Sequence, residues 1–189
     1  MLSLSDEDEL VQSLRDLIRI ENDIEAEKTR LALKADFNLI DAFKIFDQPH
    51  RGFITAHVLK EGLGAIGVYP TDNDIDLWIQ RYDSSGDRRI TKWEFEQAFL
   101  TQDPYYASMV TRRPSNYKYT GKRRDDCFGA DTASEFRTVW ATHFKSEVAA
   151  ELIRQRLRKM PYFNVYDAFT SLDLNDDGTI TRDEFKRMI

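Results

Sequence analysis

Apolar residues recur at helical spacing along most of the chain, and that pattern outlines its organisation. Leu10, Leu17, Ile24 and Leu31 repeat every seven residues, with Leu14 in the alternating slot, and predict one long helix over residues 4–33. Glu21 and Lys28 occupy later slots of this seam, which weakens a coiled-coil reading. A half-apolar seam suits equally a helix packed on its own domain and a helix that docks a partner. Farther on, Phe37-Asn38-Leu39-Ile40-Asp41-Ala42-Phe43 leads to Asp47, and Phe163-Asn164-Val165-Tyr166-Asp167-Ala168-Phe169 leads to Asp173. Ile54-Thr55 stands in the same register as Ile180-Thr181, so these segments form an internal helix–loop–helix repeat.

Two further segments enlarge the series. Pro70 and Thr71 announce a helix, with Thr71 as N-cap, Asp74 three residues on, and an apolar stripe of Ile75, Trp78, Ile79 and Tyr82. Thr132 and Glu135 read as a capping box, and neither Gly nor Pro interrupts the chain from there to Pro161. Phe136, Trp140, Phe144, Val148, Leu152 and Leu157 follow at helical intervals. This stretch reads either as one long helix or as a degenerate repeat with a shortened connection at 144–150, Val148 standing where Ile180 stands. The second reading is preferred, because such units come in pairs and the last one needs a partner.

The chemistry concentrates in residues 173–184. Asp173, Asn175 and Asp177 place side-chain oxygens at positions one, three and five of a twelve-residue loop. Thr179 offers its backbone carbonyl, Thr181 would hold a water, and Glu184 closes the set with both carboxylate oxygens. Gly178 stands at position six, where the turn demands a positive φ. Calcium takes six to eight oxygens, and this spacing supplies them. A solvated acidic turn would match the pattern by chance in roughly one chain of this length in a few thousand.

The other loops depart from this pattern by degrees. In residues 47–58, positions three, five and twelve are Pro49, Arg51 and Val58, and only Asp47 and Thr55 remain as oxygen donors; the loop is read as structural. In residues 83–94, Asp83, Ser85, Asp87, the carbonyl of Arg89, Thr91 and Glu94 remain credible ligands. Arg88 takes the glycine position at a cost on the order of 1 kcal/mol, and its charge opposes a cation. Binding here is expected to be weaker than at 173–184.

Composition narrows the function classes. The net charge of −6 gives no general affinity for nucleic acid. No apolar run has the length of a membrane span, no signal-peptide pattern opens the chain, and the single Cys127 has no internal disulfide partner. These features predict a cytoplasmic protein. Residues 101–130 hold Arg112, Arg113, Lys118, Lys122, Arg123 and Arg124 interleaved with Tyr105, Tyr106, Tyr117 and Tyr119. Pro104, Pro114, Gly121 and Gly129 argue for an irregular connector. It reads as a strap packed on the lobes or as a contact for an acidic protein surface, such as tubulin, before it reads as a site for single-stranded nucleic acid. His50, His57 and His143 lack metal spacing and are read as structural or surface residues. Met1, Met109, Met160 and Met188 are too scattered to line a groove for varied targets. No phosphate loop, kinase motif or nucleophile elbow appears, so no enzyme is expected.

These motifs resemble the calmodulin, troponin C and centrin superfamily of EF-hand proteins. The likeness covers 36–101 through Asp47, Gly52, Ile54, Gly67, Pro70, Asp83 and Glu94, and it resumes from Phe163 to Ile189. The combination with Asp103-Pro104-Tyr105-Tyr106-Ala107-Ser108 looks similar to a group of protist EF-hand proteins, many from ciliated cells. The resemblance implies an all-α fold of two EF-hand lobes, each of paired helix–loop–helix units, with a long N-terminal helix and an irregular connector. The implied domains are an extension at 1–35, a hand pair at 36–101, a connector at 102–131 and a second lobe at 132–189. The implied cofactor is Ca2+ and the implied partner a protein, possible settings being cytoskeletal or ciliary, with no nucleic acid, membrane or small-molecule substrate. The main expectation is a calcium-responsive or structural subunit; the alternative is a free calmodulin-like sensor that exposes an apolar groove.

Overall fold

The computed structural model describes residues 2–116, 118 and 122–189. Among the described residues the regular elements are helices apart from one two-stranded ribbon. In order these are α1 (Leu4–Ala32), α2 (Leu39–Lys44), β1 (Phe53–Thr55), α3 (Ala56–Ala65), α4 (Asp72–Tyr82), β2 (Arg89–Thr91), α5 (Lys92–Phe99), α6 (Pro104–Thr111), α7 (Ala130–Arg158), α8 (Val165–Leu172) and α9 (Arg182–Met188). No described helix is long and apolar enough to cross a membrane. The chain divides into two compact units, Asp23–Val148 and Met1–Asn22 with Ala149–Ile189. These units cut across the boundaries expected at 36, 102 and 132, because α1 and α7 each contribute one part to each unit.

The larger unit is built on a pair of helix–loop–helix units. Thr71 caps α4 through a reciprocal box with Asp74, as the sequence pattern predicts. β1 and β2 pair antiparallel with Ile54 opposite Ile90, both buried. The entering helix of each hand packs on the exiting helix of the other, α2 on α5 and α3 on α4. The pair's apolar face carries Phe46, Trp78, Phe95 and Phe99, and the first half of α7 lies on it. Trp140 stands 5.3 Å from Phe46, 4.8 Å from Trp78 and 5.0 Å from Phe99 between ring centroids. Phe136, Val139, His143 and Phe144 are buried beside it.

Continuity of α7 corrects the expectation of a shortened third hand. Residues 144–150 are helical throughout, so no loop forms there, and among the described residues the last hand has no companion just upstream. The physical reason is local and tertiary together. Neither Gly nor Pro interrupts residues 133–158, the second half is rich in Ala, Glu, Leu and Arg, and the aromatic side of the helix has a partner face to cover. The expected cap at Thr132 is also displaced: the helix begins at Ala130, and the Thr132 hydroxyl donates to Asp36.

The described residues of the connector belong to the larger unit, and α6 gives their first part a regular helix where an irregular path was expected. Pro104 opens α6 at its first turn, where its missing N–H costs nothing, and the Asp103 carboxylate accepts from the amides of Tyr105 and Tyr106 at 2.9 and 3.4 Å. Three of its basic residues turn to the protein. Arg113 donates to the carbonyls of Ala32, Lys34 and Phe37 at 2.8, 2.6 and 2.8 Å, which satisfies carbonyls at and just beyond the C-terminal end of α1. Arg123 donates to the Ile66 carbonyl and to Asp125, and Arg124 pairs with Glu61 at 2.6 Å. Arg112, Lys118 and Lys122 are exposed. Tyr117, Tyr119 and Gly121, which the connector reading also used, lie outside the described residues, as does Met1.

The smaller unit joins the start of α1 and the end of α7 to the last hand. Leu2, Leu10 and Ala168 are buried together, with Leu14 and Phe163 against them. Arg15 donates twice to the Ile189 carbonyl at 2.9 and 2.7 Å, and Arg156 pairs with Glu9 at 2.6 Å. The seam of α1 is thus packed on its own chain, Leu10 in this unit and Ile24 and Leu31 in the larger one. Lys28, the charge that interrupts the seam, is buried and bridges to Glu25 at 3.0 Å.

Candidate metal centre

The loop at 173–184 is suspended between two capped helices. Asn164 caps α8 by accepting from the Asp167 amide at 2.8 Å, and Thr181 caps α9 in a reciprocal box with Glu184. Asp173 ends α8, and its carboxylate accepts from the amides of Asp177 and Gly178 at 3.1 and 2.8 Å, curling the loop around it. Gly178 has φ of 81°, a left-handed conformation that a side chain would oppose. Glu184 reaches back across the loop. One oxygen accepts from the amides of Leu174 and Asn175 at 3.1 and 3.3 Å, and the other from the Thr181 amide and hydroxyl at 2.9 and 2.6 Å.

These bonds set the charge of the site. The Thr181 hydroxyl and amide hold the Glu184 carboxyl below its usual range, and the Thr179 hydroxyl and amide do the same for Asp177. Both are anionic at neutral pH. Asp173 and Glu184 are also buried, although each belongs to a solvent-facing loop. The donor set is entirely oxygen, three carboxylates with Asn175, Thr181 and the Thr179 carbonyl, which fits a hard cation. Among the described residues no three His, Cys, Asp or Glu side chains are gathered closely enough to form a metal cluster. In this loop the carboxylates instead hold the backbone amides that shape it.

The loop at 83–94 has the same construction. The Asp83 carboxylate accepts from the amides of Gly86 and Arg88, both at 2.7 Å, and from the Ser85 hydroxyl at 3.0 Å. Glu94 accepts from Ser84 at 2.8 and 2.7 Å and from Thr91 at 2.9 and 2.8 Å. Burial would raise the Glu94 carboxyl, but these four bonds outweigh it and hold it at about 2. Arg88 does adopt the left-handed conformation, at φ of 61°, and its guanidinium leaves the loop to pair with Asp76 on α4 at 2.9 Å. The Arg89 guanidinium lies 4.7 Å from the Phe53 ring centroid. Asp87 bonds to the Arg89 amide at 2.9 Å, and Thr91 caps α5.

The loop at 47–58 keeps the shape without the oxygens. Asp47 accepts from the amides of Arg51 and Gly52 at 2.8 and 2.7 Å. Its retention is explained by this structural bond. A feature that sequence reasoning passed over is shared by the three loops: positions four and six both have positive φ. The pairs are His50 and Gly52, Gly86 and Arg88, and Asp176 and Gly178, with φ between 55° and 82°. The signal was present at position four, since Gly, Asp and His all tolerate this region better than most residues.

The remaining reactive groups stay out of this chemistry. His143 is fully buried, and burial pushes its imidazole down to about 3, with Lys28 and Arg81 adding in the same direction. Burial pushes the Cys127 thiol up to about 12, with Asp41, Asp125 and Asp126 adding to it.

Comparison with known proteins agrees with this geometry. Residues 36–100 match the family model of an EF-hand domain pair, and residues 165–189 match that of an EF hand. The chain is 34% identical over 55 residues to calcium-binding protein 7 of Homo sapiens, a span covering 29% of this chain and 26% of that protein. It is 37% identical over 71 residues to troponin C isoform 2B of Homarus americanus, covering 38% and 46%. With troponin C isoform 1 of Drosophila melanogaster it shares 32% over 65 residues, covering 34% and 42%. The chain thus spans between a quarter and a half of the length of these relatives. Residues 36–100 and 165–189 are thus EF-hand domains, similar over part of their length to troponin C and calcium-binding protein 7, and Ca2+ is the ion such domains take.

Proposed function

We propose that this chain is a non-enzymatic calcium-binding subunit held by a protein partner. Residues 173–184 are its principal site, through Asp173, Asn175, Asp177, the Thr179 carbonyl, Thr181 and Glu184. Residues 83–94 are a weaker one, through Asp83, Ser85, Asp87, the Arg89 carbonyl, Thr91 and Glu94. Calcium supplies a hard, divalent charge that draws these oxygens inward. The protein's part is to hold the carboxylates ionised and the loop already curled, so that less order has to be created on binding.

The closure of the hand pair's apolar face by α7 carries the subunit reading. A free sensor of the calmodulin kind offers that face to its targets when calcium binds. Here Phe136, Val139, Trp140 and Phe144 occupy it from within the same chain. Arg113, Arg123 and Arg124 bond to the protein's own carbonyls and carboxylates, which engages much of the connector's positive charge, so partner contact is assigned elsewhere. The lone Cys127, kept as a thiol, fits the cytoplasm, and the resemblance to proteins of ciliated cells points to a cytoskeletal or ciliary assembly.

Calorimetry with calcium on the wild type and on Glu184→Gln tests the site. Heat of binding that is lost in the variant is the expected result, and no heat at millimolar calcium would overturn it. Dye fluorescence tests the subunit reading. A small change on adding calcium is expected, and a large calcium-dependent rise would favour the free sensor. Purification from source extract with and without chelator should leave the partner bound in both.

A further inference from the structure

We propose that the last hand forms an intermolecular EF-hand pair with the same hand of a second copy of this chain, joined by an antiparallel bridge of Ile180 on Ile180. The larger unit contains the template. There Ile54 pairs with Ile90, Phe53 stands opposite Thr91 and Thr55 opposite Arg89, and each entering helix packs on the other hand's exiting helix. The first hand and the last are register-matched repeats with the same loop backbone. Yet Leu39 is 4% exposed where Val165 is 79% exposed, and Ile54 is 1% exposed where Ile180 is 36% exposed. Among the described residues Ile180 has no strand partner. Tyr162 and Tyr166, beside Val165, are exposed as well. The last hand thus presents, uncovered, positions that are buried in the first, Ile180 at the place of the bridging Ile54 among them.

Self-complementarity identifies the occupant. A two-fold bridge centred on Ile180 sets Thr179 opposite the copy's Thr181 on both sides. Threonine facing threonine is a favourable cross-strand pair, and no like charges meet there. The same two-fold lays α8 against α9 twice. α8 carries Asp167 as its charged residue, and α9 carries Arg182, Lys186 and Arg187 against Asp183 and Glu184, so helices of opposite net charge meet. Pairing follows loop shape and not the ion: the first hand lacks the ligand set and still bridges. The proposal therefore stands apart from calcium binding.

Sedimentation equilibrium of the full chain, in calcium and in chelator, is the first test. A concentration-dependent dimer is expected in both. Ile180→Asp places two carboxylates face to face and should weaken self-association by about tenfold or more, with the circular dichroism of the helices unchanged. Val165→Glu, on the exposed side of α8, should act in the same direction. Directly opposed residues in an antiparallel pair have Cα atoms about 4.5–5.5 Å apart, within disulfide range. Ile180→Cys in a Cys127→Ser background should therefore give a disulfide-linked dimer on mild oxidation. A monomer at all concentrations, or a dimer indifferent to Ile180→Asp, would overturn the proposal. Calorimetry on the same preparations reads calcium separately, so a chain that dimerises without binding calcium defeats only the site assignment.

Discussion

Trp140 meets Trp78 with ring centroids 4.8 Å apart, and both side chains are fully buried. Through this contact α7 becomes part of the hand pair's core. Trp140→Ala should destabilise the protein by about 3–5 kcal/mol, the usual cost of deleting a large buried aromatic. Urea titration measures the loss, and the variant should also bind hydrophobic dye more strongly than the wild type.

Glu184 contributes two oxygens in the proposed calcium site, whereas Val58 at the same position of the first loop contributes none. Glu184→Gln should move the last site from roughly the 10⁻⁷–10⁻⁵ M range of sensor hands to millimolar or weaker. Val58→Glu should gain no measurable site, because Pro49 and Arg51 still leave positions three and five without oxygens. Calorimetry reads both variants, and binding restored by Val58→Glu would show that the closing carboxylate suffices.

Arg88 combines a left-handed backbone with a charge beside the proposed second site. Arg88→Gly removes both and should tighten calcium at 83–94 by about fivefold, equivalent to about 1 kcal/mol. The comparison is best made in a Glu184→Gln background, where the second site is read alone.

His143 should give the protein an acid-sensitive component. Its imidazole is held near 3 in the fold against 6.5 when unfolded, so the unfolded chain binds the extra proton between those values. Stability from this group is complete above pH 6.5 and falls with decreasing pH, by up to about 1.4 kcal/mol per pH unit. Lys28 and Arg81 both oppose its charge, although Arg81 is shared with Glu147 at 3.4 Å. His143→Gln stays neutral and should flatten the slope between pH 6.5 and 5, above the range where carboxylates titrate.

Arg113 satisfies three carbonyls with one planar group. Arg113→Ala should cost about 2–3 kcal/mol, and hydrogen exchange should quicken at the C-terminal end of α1. Arg113→Lys should recover little of this, since a single ammonium cannot span the three acceptors.

Much of this protein can be read without coordinates. The donor spacing of 173–184, the decay of 47–58 and the cap at Thr71 are local facts, settled by residues within a dozen positions of one another. So is the long helix from Leu4. The course of 130–158 was harder to read, because an uninterrupted helix and a hand with a vanished loop share one apolar periodicity. What separated them was the aromatic face at Phe46, Trp78 and Phe99, which is assembled from segments far apart in the chain. The connector left a packed strap and a surface contact equally open for a related reason. A run of arginines looks like a surface patch until the carbonyls at the end of α1 and the carboxylates of Glu61 and Asp125 are brought to it.

The sequence by itself therefore determined which loops carry an oxygen shell, because coordination chemistry depends on side-chain identity at short, regular spacing. Tertiary structure alone decided which hand has a companion. Pairing depends on which apolar faces meet, and α7, by closing over the first pair, left the last hand and its Ile180 without one among the described residues.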